Sequence, residues 1–294
     1  MSVTGPLFQH LKEIETRIHR SQKLFLLLDF DGTLAPIVSD PALADLPRET
    51  RRVLRTLQNA GAILAIISGR SLDDVRSRVK LDAIYAGNHG LEIEGPGVAF
   101  REHSAEALQP ELAALCQRLR GDLSHIPGII IEYKGLSASV HYRNAPVEAV
   151  PEVAAIVDRA LEAAGSPFVM HTGKKVFEIR PCVHWHKGSA VRWLRQRIGP
   201  PGALSVCIGD DATDEDAFRA LPDGVTICVG SAVTCARYRV RDRGEALAFL
   251  EWLAAQISTP PAPSPTHTET SRHPHTILPS AGHPVREPEN CTAA

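Results

Sequence analysis

The sequence predicts an α/β fold, in which a doubly wound, mostly parallel sheet forms the core and an α/β cap domain is inserted into it. Two observations support this prediction. Short unbroken apolar runs alternate with helical patterns, which is typical of βαβ units whose strands are covered on both faces. A long middle segment interrupts this rhythm and alternates with a period of two residues. The length of 294 residues is sufficient for such a core and a second, smaller domain.

The core elements follow one another along the chain. Five apolar runs predict buried parallel strands at residues 24–28, 62–67, 83–86, 204–208 and 225–229. Periodic segments predict helices at residues 48–59, 72–79, 189–198, 214–220 and 245–256. Polar residues follow several of these runs, at the carboxyl edge where open α/β sheets bind ligands. We therefore expect Asp29, Ser68 and Asp210 to lie close together.

The middle segment, residues 95–182, predicts a smaller antiparallel sheet. Its pattern indicates a helix near 106–120, two strands joined at Gly135, a helix near 147–164, and strands at 168–171 and 176–180. Alternation along these strands gives one apolar face, which we expect to carry the helices. The other face presents Glu132, Lys134, His141, Arg143 and Glu178. From the pattern alone this face is either an ordinary solvated surface or a binding surface.

These patterns set the predicted domain boundaries. The core comprises residues 1–104 and 184–257, and the cap comprises residues 105–183. Eight of the 22 prolines fall in residues 258–294, a segment with few large apolar side chains. Such a composition cannot bury enough surface to offset the entropy of ordering. We therefore predict that residues 258–294 form a disordered tail.

Composition excludes several classes of protein. With 32 basic and 34 acidic residues the net charge is −2, which argues against binding to bulk nucleic acid or to an anionic membrane surface. No run approaches the ~18 apolar residues of a membrane span, and the first residues lack the apolar core of a secretory signal. The six cysteines form no CxxC pair. We expect a cytoplasmic monomer without a zinc site.

The segment 29–34, DFDGTL, is the strongest chemical signal in the sequence. Asp29 and Asp31 follow an apolar run, and two carboxylates at a strand end suit nucleophilic catalysis assisted by an acid/base. Gly32 permits the chain to turn away sharply. An ordinary strand-to-loop turn rich in Asp and Gly is the alternative, and the apolar run before DxDGTL makes it the weaker one.

A second signal is the acidic segment 209–216, GDDATDED, whose five carboxylates would repel one another without a cation. Magnesium prefers oxygen ligands, so Asp210 is a candidate metal ligand. The later acids, from Asp214 onwards, also suit the first turn of a helix. The two interpretations are compatible, since different residues would carry them.

Two weaker signals complete the set. The segment Ser68-Gly69-Arg70 follows a predicted strand, where a hydroxyl and a flexible backbone can hold a phosphate or cap the next helix. Lys187 opens a helix, where a cation opposes the helix dipole. That cost indicates that Lys187 serves an anion, although a solvated surface lysine is the alternative.

Together these four motifs resemble those of the haloacid dehalogenase-like phosphatases, and the insertion resembles the larger α/β cap of that superfamily. More narrowly, the chain resembles the trehalose-6-phosphate phosphatases from about residue 24 to 253. The resemblance rests on SGRSLDDVRSRV, YAGNHGLEI, PGIIIEYKGLSASVHYR, GKKVFEIRP, HKGSAV and IGDDATDEDAF. His186 departs from the family, which commonly has Asn before the motif lysine.

The resemblance implies roles for the core residues. Asp29 would attack phosphorus, and Asp31 would be the acid/base. Mg²⁺ would be held by Asp29, the backbone carbonyl of Asp31 and Asp210, with Asp214 in support. Ser68 and Lys187 would hold the phosphoryl oxygens.

The resemblance also implies substrate contacts. Glu132, Lys134, Arg143 and Glu178 of the cap would bind the sugar, which favours the binding interpretation of the polar face. Further contacts are expected from Thr33, Gly69, Arg70, Asn88 and His89, with a hinge as the alternative for Asn88 and His89. The role of His141 stays open.

The predicted function is magnesium-dependent hydrolysis of a small-molecule sugar phosphate, trehalose 6-phosphate. Alternatives within the superfamily are a phosphatase for sucrose phosphate or mannosyl-glycerate phosphate, or a sugar phosphomutase. A non-catalytic sugar-phosphate sensor is the alternative from another class, and it ranks lower because Asp29, Asp31, Ser68, Lys187 and Asp210 are all present.

Overall fold

The protein is described by a computed structural model that covers residues 4–162 and 167–258. The strands are β1 Gly5–Pro6, β2 Leu24–Leu28, β3 Ile63–Ile67, β4 Ile84–Gly87, β5 Glu92–Gly95, β6 Val98–Arg101, β7 Ile130–Tyr133, β8 Ala138–His141, β9 Phe168–Gly173, β10 Val176–Pro181, β11 Leu204–Gly209, β12 Val225–Val229 and β13 Tyr238–Val240. The helices are α1 Leu11–Arg20, α2 Arg48–Asn59, α3 Leu72–Val79, α4 His103–Ala107, α5 Gln109–Asp122, α6 Val150–Glu162, α7 Lys187–Ile198, α8 Asp214–Arg219 and α9 Arg243–Ser258. The predicted tail, apart from Ser258, lies outside the described residues.

The larger sheet has nine strands in the order β1-β13-β12-β11-β2-β3-β4-β5-β6. The first seven strands of this order, from β1 through β13, β12, β11, β2 and β3 to β4, pair in parallel. Strands β5 and β6 add an antiparallel edge. Strand β2 lies at the centre, where Leu26 pairs with Val206 on one side and Leu64 on the other. The predicted mostly parallel sheet is confirmed.

Helices cover both faces of this sheet because its central strands are apolar on both sides. All five residues of β2 are buried. Leu24, Leu26 and Leu28 pack with residues of α1, α2, α3 and α9, whereas Phe25 and Leu27 pack with α7 and α8. The alternation of side chains along one strand therefore holds two separate helical layers, as a doubly wound fold requires.

The smaller sheet is antiparallel, with the order β7-β8-β10-β9. Its inner face includes Val140, Phe177 and Ile179, which pack against residues of α5 and α6. On the opposite face, Ser139 pairs with Glu132 of β7 and with Glu178 of β10. The two faces follow the period-two pattern of the sequence. The boundaries of the inserted cap, residues 105–183, stay a prediction.

Some elements differ from the prediction. The helix expected near 106–120 is divided into α4 and α5, which meet at Leu108. Pro110 lies in the first turn of α5, where proline is favoured at the start of a new helix. The helix expected at 147–164 begins as a 3₁₀ turn at Val147–Ala149 before α6, and residues 163–164 lie outside the described residues. Sequence patterns missed β1 and β13, which are two and three residues long and too short to show a period. Among the described residues, no helix is long and apolar enough to cross a membrane.

Candidate active site

The parallel strands bring the core motifs to one edge of the sheet. Asp29 follows β2, and its N–H donates to the carbonyl of Ile208 on β11 at 3.0 Å. Ser68 follows β3, and its N–H donates to the carbonyl of Ala86 on β4 at 2.9 Å. Asp210 follows β11. These bonds extend the ladder by one residue, so the functional side chains leave from a fixed backbone.

Two glycines permit close approaches at this edge. Gly32 has φ +85°, and a Cβ there would overlap the carboxylate of Asp210. A Cβ on Gly69 would overlap the ring of His89, and the backbone N–H of His89 donates to the carbonyl of Ser68 at 2.8 Å. Glycine is therefore required at both positions for the motifs to meet.

Three buried carboxylates, those of Asp29, Asp210 and Asp214, form the centre of the site. One oxygen from each lies within 4.8 Å of the others. The ammonium of Lys187 donates to Asp29 Oδ1 and to Asp214 Oδ1, each at 2.7 Å. Asp214 also accepts backbone N–H bonds from Asp210 and Asp211, each at 3.1 Å. Asp214 thus orients both the lysine and the loop that carries Asp210.

The electrostatics of this centre call for positive charge. Burial raises the pKa of Asp29 well above its ordinary value and raises the pKa of Asp210 to about 6. Burial opposes the charge of Lys187, but Asp214 and Asp29 raise its pKa well above the usual range. The ammonium of Lys187 is therefore always charged, but its single positive charge does not balance the negative charges of the three carboxylates.

The residues present fit a hard divalent cation such as Mg²⁺. All the available side-chain donors are carboxylate oxygens, which such cations prefer. The carboxylate of Asp31 is engaged elsewhere, so only its backbone carbonyl is left for the ligand role expected from the sequence. The chemistry of the donor set supports a divalent metal without selecting magnesium over other hard cations.

Arg70 holds the carboxylate of Asp31 through two parallel hydrogen bonds. Nε donates to Oδ2 at 2.7 Å and Nη2 donates to Oδ1 at 2.8 Å. Nη1 donates to Asp74 Oδ2 at 2.7 Å and to the carbonyl of Pro41 at 3.1 Å. A bidentate pair of this kind fixes the carboxylate plane. Arg70 lines the site as expected, but its guanidinium is occupied by the protein's own acids.

A left-handed segment, Asn88-His89-Gly90, connects β4 to β5 in the larger sheet and contacts the turn between β7 and β8. The three residues have φ values of +47°, +59° and +93°. The Asn88 side chain donates to Glu92 Oε1 at 2.7 Å and to the carbonyl of Lys134 at 2.9 Å, and it accepts from Ser137. Bonds to both sheets thus hold a backbone conformation that costs energy outside glycine.

The polar face of the small sheet closes over the carboxylate centre. Glu178 accepts from His89 Nε2 and from Arg180 Nη2, the latter at 2.7 Å, and lies 3.5 Å from Lys134 Nζ. Lys134 Nζ in turn donates to the carbonyl of Gly69 at 2.7 Å. These contacts connect the sheet that carries Glu178 directly to the Ser68 loop.

His89 is buried with a defined protonation state. Burial lowers its pKa to about 3, so the ring is neutral near neutral pH and donates from Nε2 to Glu178. Its Nδ1 has no hydrogen-bond partner among the described residues. His141, whose role the sequence left open, lies 2.9 Å from Glu132 through Nε2, so this histidine orients a second acid of the face.

A cavity of about 160 Å³ lies between the two sheets. Its walls bring together most of the residues predicted from sequence, namely Asp29, Asp31, Ser68, Gly69, Arg70, His89, Glu132, Lys134, Arg143, Glu178, Lys187 and Asp210. Three predicted residues do not line it. Asp214 lies behind Lys187, Asn88 is fully buried, and Thr33 Oγ1 is buried without a partner among the described residues.

The sequence missed several residues of the cavity wall. Ile37, Val38 and Pro41 come from the loop after DFDGTL and give the wall an apolar part. Lys174 reaches the cavity from the turn between β9 and β10, and Lys174 Nζ contacts Asp210. The letters GKK at the predicted hairpin were a usable signal, since a lysine in a turn near acidic strand ends is a candidate partner for them.

His186, the departure from the family pattern, precedes α7. Its Nδ1 accepts the N–H of Gly188 at 3.2 Å, which caps the helix that Lys187 opens. Asn is a preferred residue at such a position because its side-chain oxygen accepts the same bond. The histidine therefore takes over the role of Asn as the N-cap of α7. It does not line the cavity.

The comparisons with known proteins are consistent with this geometry. The family model described as trehalose-phosphatase matches residues 27–249. A trehalose-phosphate phosphatase of Mycobacterium marinum is 39% identical over 249 residues, which are 80% of this chain and 62% of the relative. A protein of Mycobacterium tuberculosis described as an uncharacterized glycosyl hydrolase is 38% identical over 82% of this chain and 19% of its own length.

Solved structures share the fold. A trehalose-6-phosphate phosphatase related protein has a TM-score of 0.70 and 26% identity, and the match covers 79% of this chain and 97% of that one. The C-terminal domain of the trehalose-6-phosphate phosphatase of C. albicans has a TM-score of 0.72 at 24% identity, with 86% and 99% covered, which shows the fold alone. The chain spans less than two thirds of the length of the mycobacterial phosphatase it matches.

Proposed function

Because the chain belongs to the trehalose-phosphatase family, we propose that it hydrolyses trehalose 6-phosphate to trehalose and phosphate, the last step of trehalose biosynthesis. One observation carries the proposal. The carboxylate and lysine centre of the core faces the polar sheet face of the cap across a single cavity. A charged centre suits the phosphate, and a surface of donors and acceptors suits a sugar that offers only hydroxyls.

The core residues perform the chemistry. Lys187 Nζ donates to Asp29 at 2.7 Å, which orients the nucleophile and opposes the rise in its pKa that burial causes. A carboxylate oxygen of Asp29 attacks phosphorus and forms an aspartyl-phosphate, while the bond from phosphorus to the sugar oxygen breaks. Asp31 gives its proton to that departing oxygen. Ser68 and the ammonium of Lys187 stabilise the phosphoryl oxygens as charge builds up on them.

The second half of the reaction restores the enzyme. Asp31, now ionised, takes a proton from water, and the water oxygen attacks phosphorus. The bond between Asp29 and phosphorus breaks, inorganic phosphate leaves, and Asp31 is protonated again. The bidentate contact with Arg70 holds the carboxylate of Asp31 in one orientation for both steps.

A bound Mg²⁺ would be held by Asp29, the backbone carbonyl of Asp31 and Asp210, and would supply positive charge to the phosphoryl oxygens. Asp214 supports this arrangement through its bonds to Lys187 and to the Asp210 backbone. The sugar contacts come from Glu132, Lys134, Arg143 and Glu178.

Phosphate release from a panel of sugar phosphates tests the proposal. The panel contains trehalose 6-phosphate, glucose 6-phosphate, sucrose 6-phosphate and a mannosyl-glycerate phosphate, each with Mg²⁺ and with a chelator as the control. We expect the largest kcat/KM for trehalose 6-phosphate and no turnover with the chelator. Equal rates with glucose 6-phosphate would contradict the specificity, isomerised sugar phosphate would indicate a mutase, and tight binding without turnover would indicate a sensor.

A further inference from the structure

The turn between β9 and β10 makes a direct contact with the carboxylate centre. Lys174 Nζ donates to the backbone carbonyl of Asp210 at 3.0 Å and also contacts Asp210 Oδ2. The guanidinium of Arg143 donates to the carbonyl of Lys174 at 2.7 Å, which fixes the turn from the cap side. The backbone of Lys174 thus lies in the hairpin of the small sheet, whereas its ammonium contacts Asp210 of the core.

The ammonium of Lys174 lies in an acidic environment. Burial opposes its charge, but Asp210, Asp211 and Asp29 together raise its pKa above the ordinary value. The side chain is 49% exposed, whereas the side chain of Asp210 is 6% exposed. The lysine can therefore leave at a modest cost, but the carboxylate it contacts is almost fully buried and then needs another cation.

Lys174 and a divalent cation require the same oxygens. Asp210 is a member of the carboxylate cluster that fits the cation. A cation that binds Asp210 must share these oxygens with the ammonium or displace it. Two positive charges on one buried carboxylate repel each other, so each weakens the binding of the other.

The cavity offers the ammonium another partner when substrate is present. Lys174 lines the same cavity as Asp29 and Lys187, where the proposed reaction places the phosphoryl group. A phosphoryl dianion there adds the negative charge that would hold two cations together. Glu178 follows Lys174 by four residues, at most about 13 Å along the hairpin, so one cap strand spans the phosphate and the sugar.

We propose that Lys174 is a phosphate-binding residue of the cap, which competes with the divalent cation for Asp210 and moves to the phosphoryl oxygens when the sugar phosphate binds. The proposal rests on the proposed phosphatase reaction. If Lys174 binds the phosphoryl group, the phosphate site is incomplete without the cap. Closure of the cap over the sugar and neutralisation of the phosphoryl group then occur together.

Metal binding by the full chain without substrate is the first test. Isothermal titration with Mg²⁺ compares the wild type with Lys174→Met and with the matched control Lys175→Met. Lys175 is the adjacent exposed lysine, and its side chain makes no hydrogen bond or ion pair in the described part of the chain. We expect Lys174→Met to bind Mg²⁺ roughly fivefold more tightly, and Lys175→Met to match the wild type.

Inhibition by inorganic phosphate is the second test. With p-nitrophenyl phosphate as the assayed ester, we expect the inhibition constant of phosphate to rise roughly tenfold in Lys174→Met and to stay unchanged in Lys175→Met. Both readouts use only Mg²⁺ and phosphate, so they stand even if the sugar preference proves different. The proposal is overturned if the two variants give the same value in either measurement.

Discussion

The core sheet and the small sheet position their functional groups in different ways. In the core, several groups directly follow the ends of buried strands, as Asp29 follows β2 and Asp210 follows β11. In the small sheet, the groups lie on every second residue of one face, as Glu132 and Glu178 do on either side of Ser139. Strand ends gather a few charges at one point, whereas a sheet face spreads them over a surface.

This difference matches the chemistry that each region can perform. The core carboxylates are buried and lie within 4.8 Å of one another, so they need cations, which suits the proposed action on a single phosphorus atom. The cap acids are paired individually, Glu132 with His141 and Glu178 with Lys134 and Arg180. Because each of these acids is paired with a basic side chain, the surface can bind sugar hydroxyls without creating a large electrostatic field.

Replacing the proposed nucleophile has the largest expected effect. Asp29→Asn is expected to lower kcat at least about 10⁴-fold for both trehalose 6-phosphate and p-nitrophenyl phosphate, because an amide cannot form the aspartyl-phosphate. Steady-state kinetics with both substrates measure it, and a thermal melt checks that the variant folds. Activity retained on either substrate would show that Asp29 is not the nucleophile.

A cap substitution is expected to separate the two regions. Glu178→Ala should lower kcat/KM for trehalose 6-phosphate by about 10²-fold, since a sugar hydroxyl loses its partner, and change p-nitrophenyl phosphate less than about threefold. Glu111→Ala, an exposed acid on α5, is the control for removing a cap charge. Equal damage to both substrates would contradict the division of roles.

The smallest expected effect concerns the junction between the regions. His89 takes up a proton below about pH 6.5 when unfolded but only near pH 3 when folded, so stability is present above pH 6.5 and lost as the pH falls. Between pH 6.5 and 5 the loss is about 2 kcal/mol, or about 4–8 °C in Tm. The melting temperature of His89→Gln should lack this dependence.

The control for that measurement is His103→Gln, the same change at a side chain that is 94% exposed. It should retain the wild-type loss of Tm between pH 6.5 and 5. A parallel loss in the wild type and in both variants would show that His89 is not the titrating group.

Several core elements were predictable to the residue for a physical reason. Apolar runs and clear helical periods have few structural solutions, and β2, β12, α2 and α3 have the predicted bounds. In the cap, the alternation gave the two faces correctly, but the division of the first helix at Leu108 depends on Pro110 and on packing. The apolar wall from Ile37 to Pro41 belongs to a loop, where no period exists to reveal it.

The sequence by itself determined the fold class, the edge at which the motifs meet and the identity of most cavity residues, because periodicity and strand ends are local properties. The tertiary structure alone decided which partner each charge takes. Arg70 holds Asp31 across 39 residues, Lys174 contacts Asp210 across 36, and His89 contacts Glu178 across 89. Such pairs depend on how two sheets approach each other, and no spacing along the chain encodes that approach.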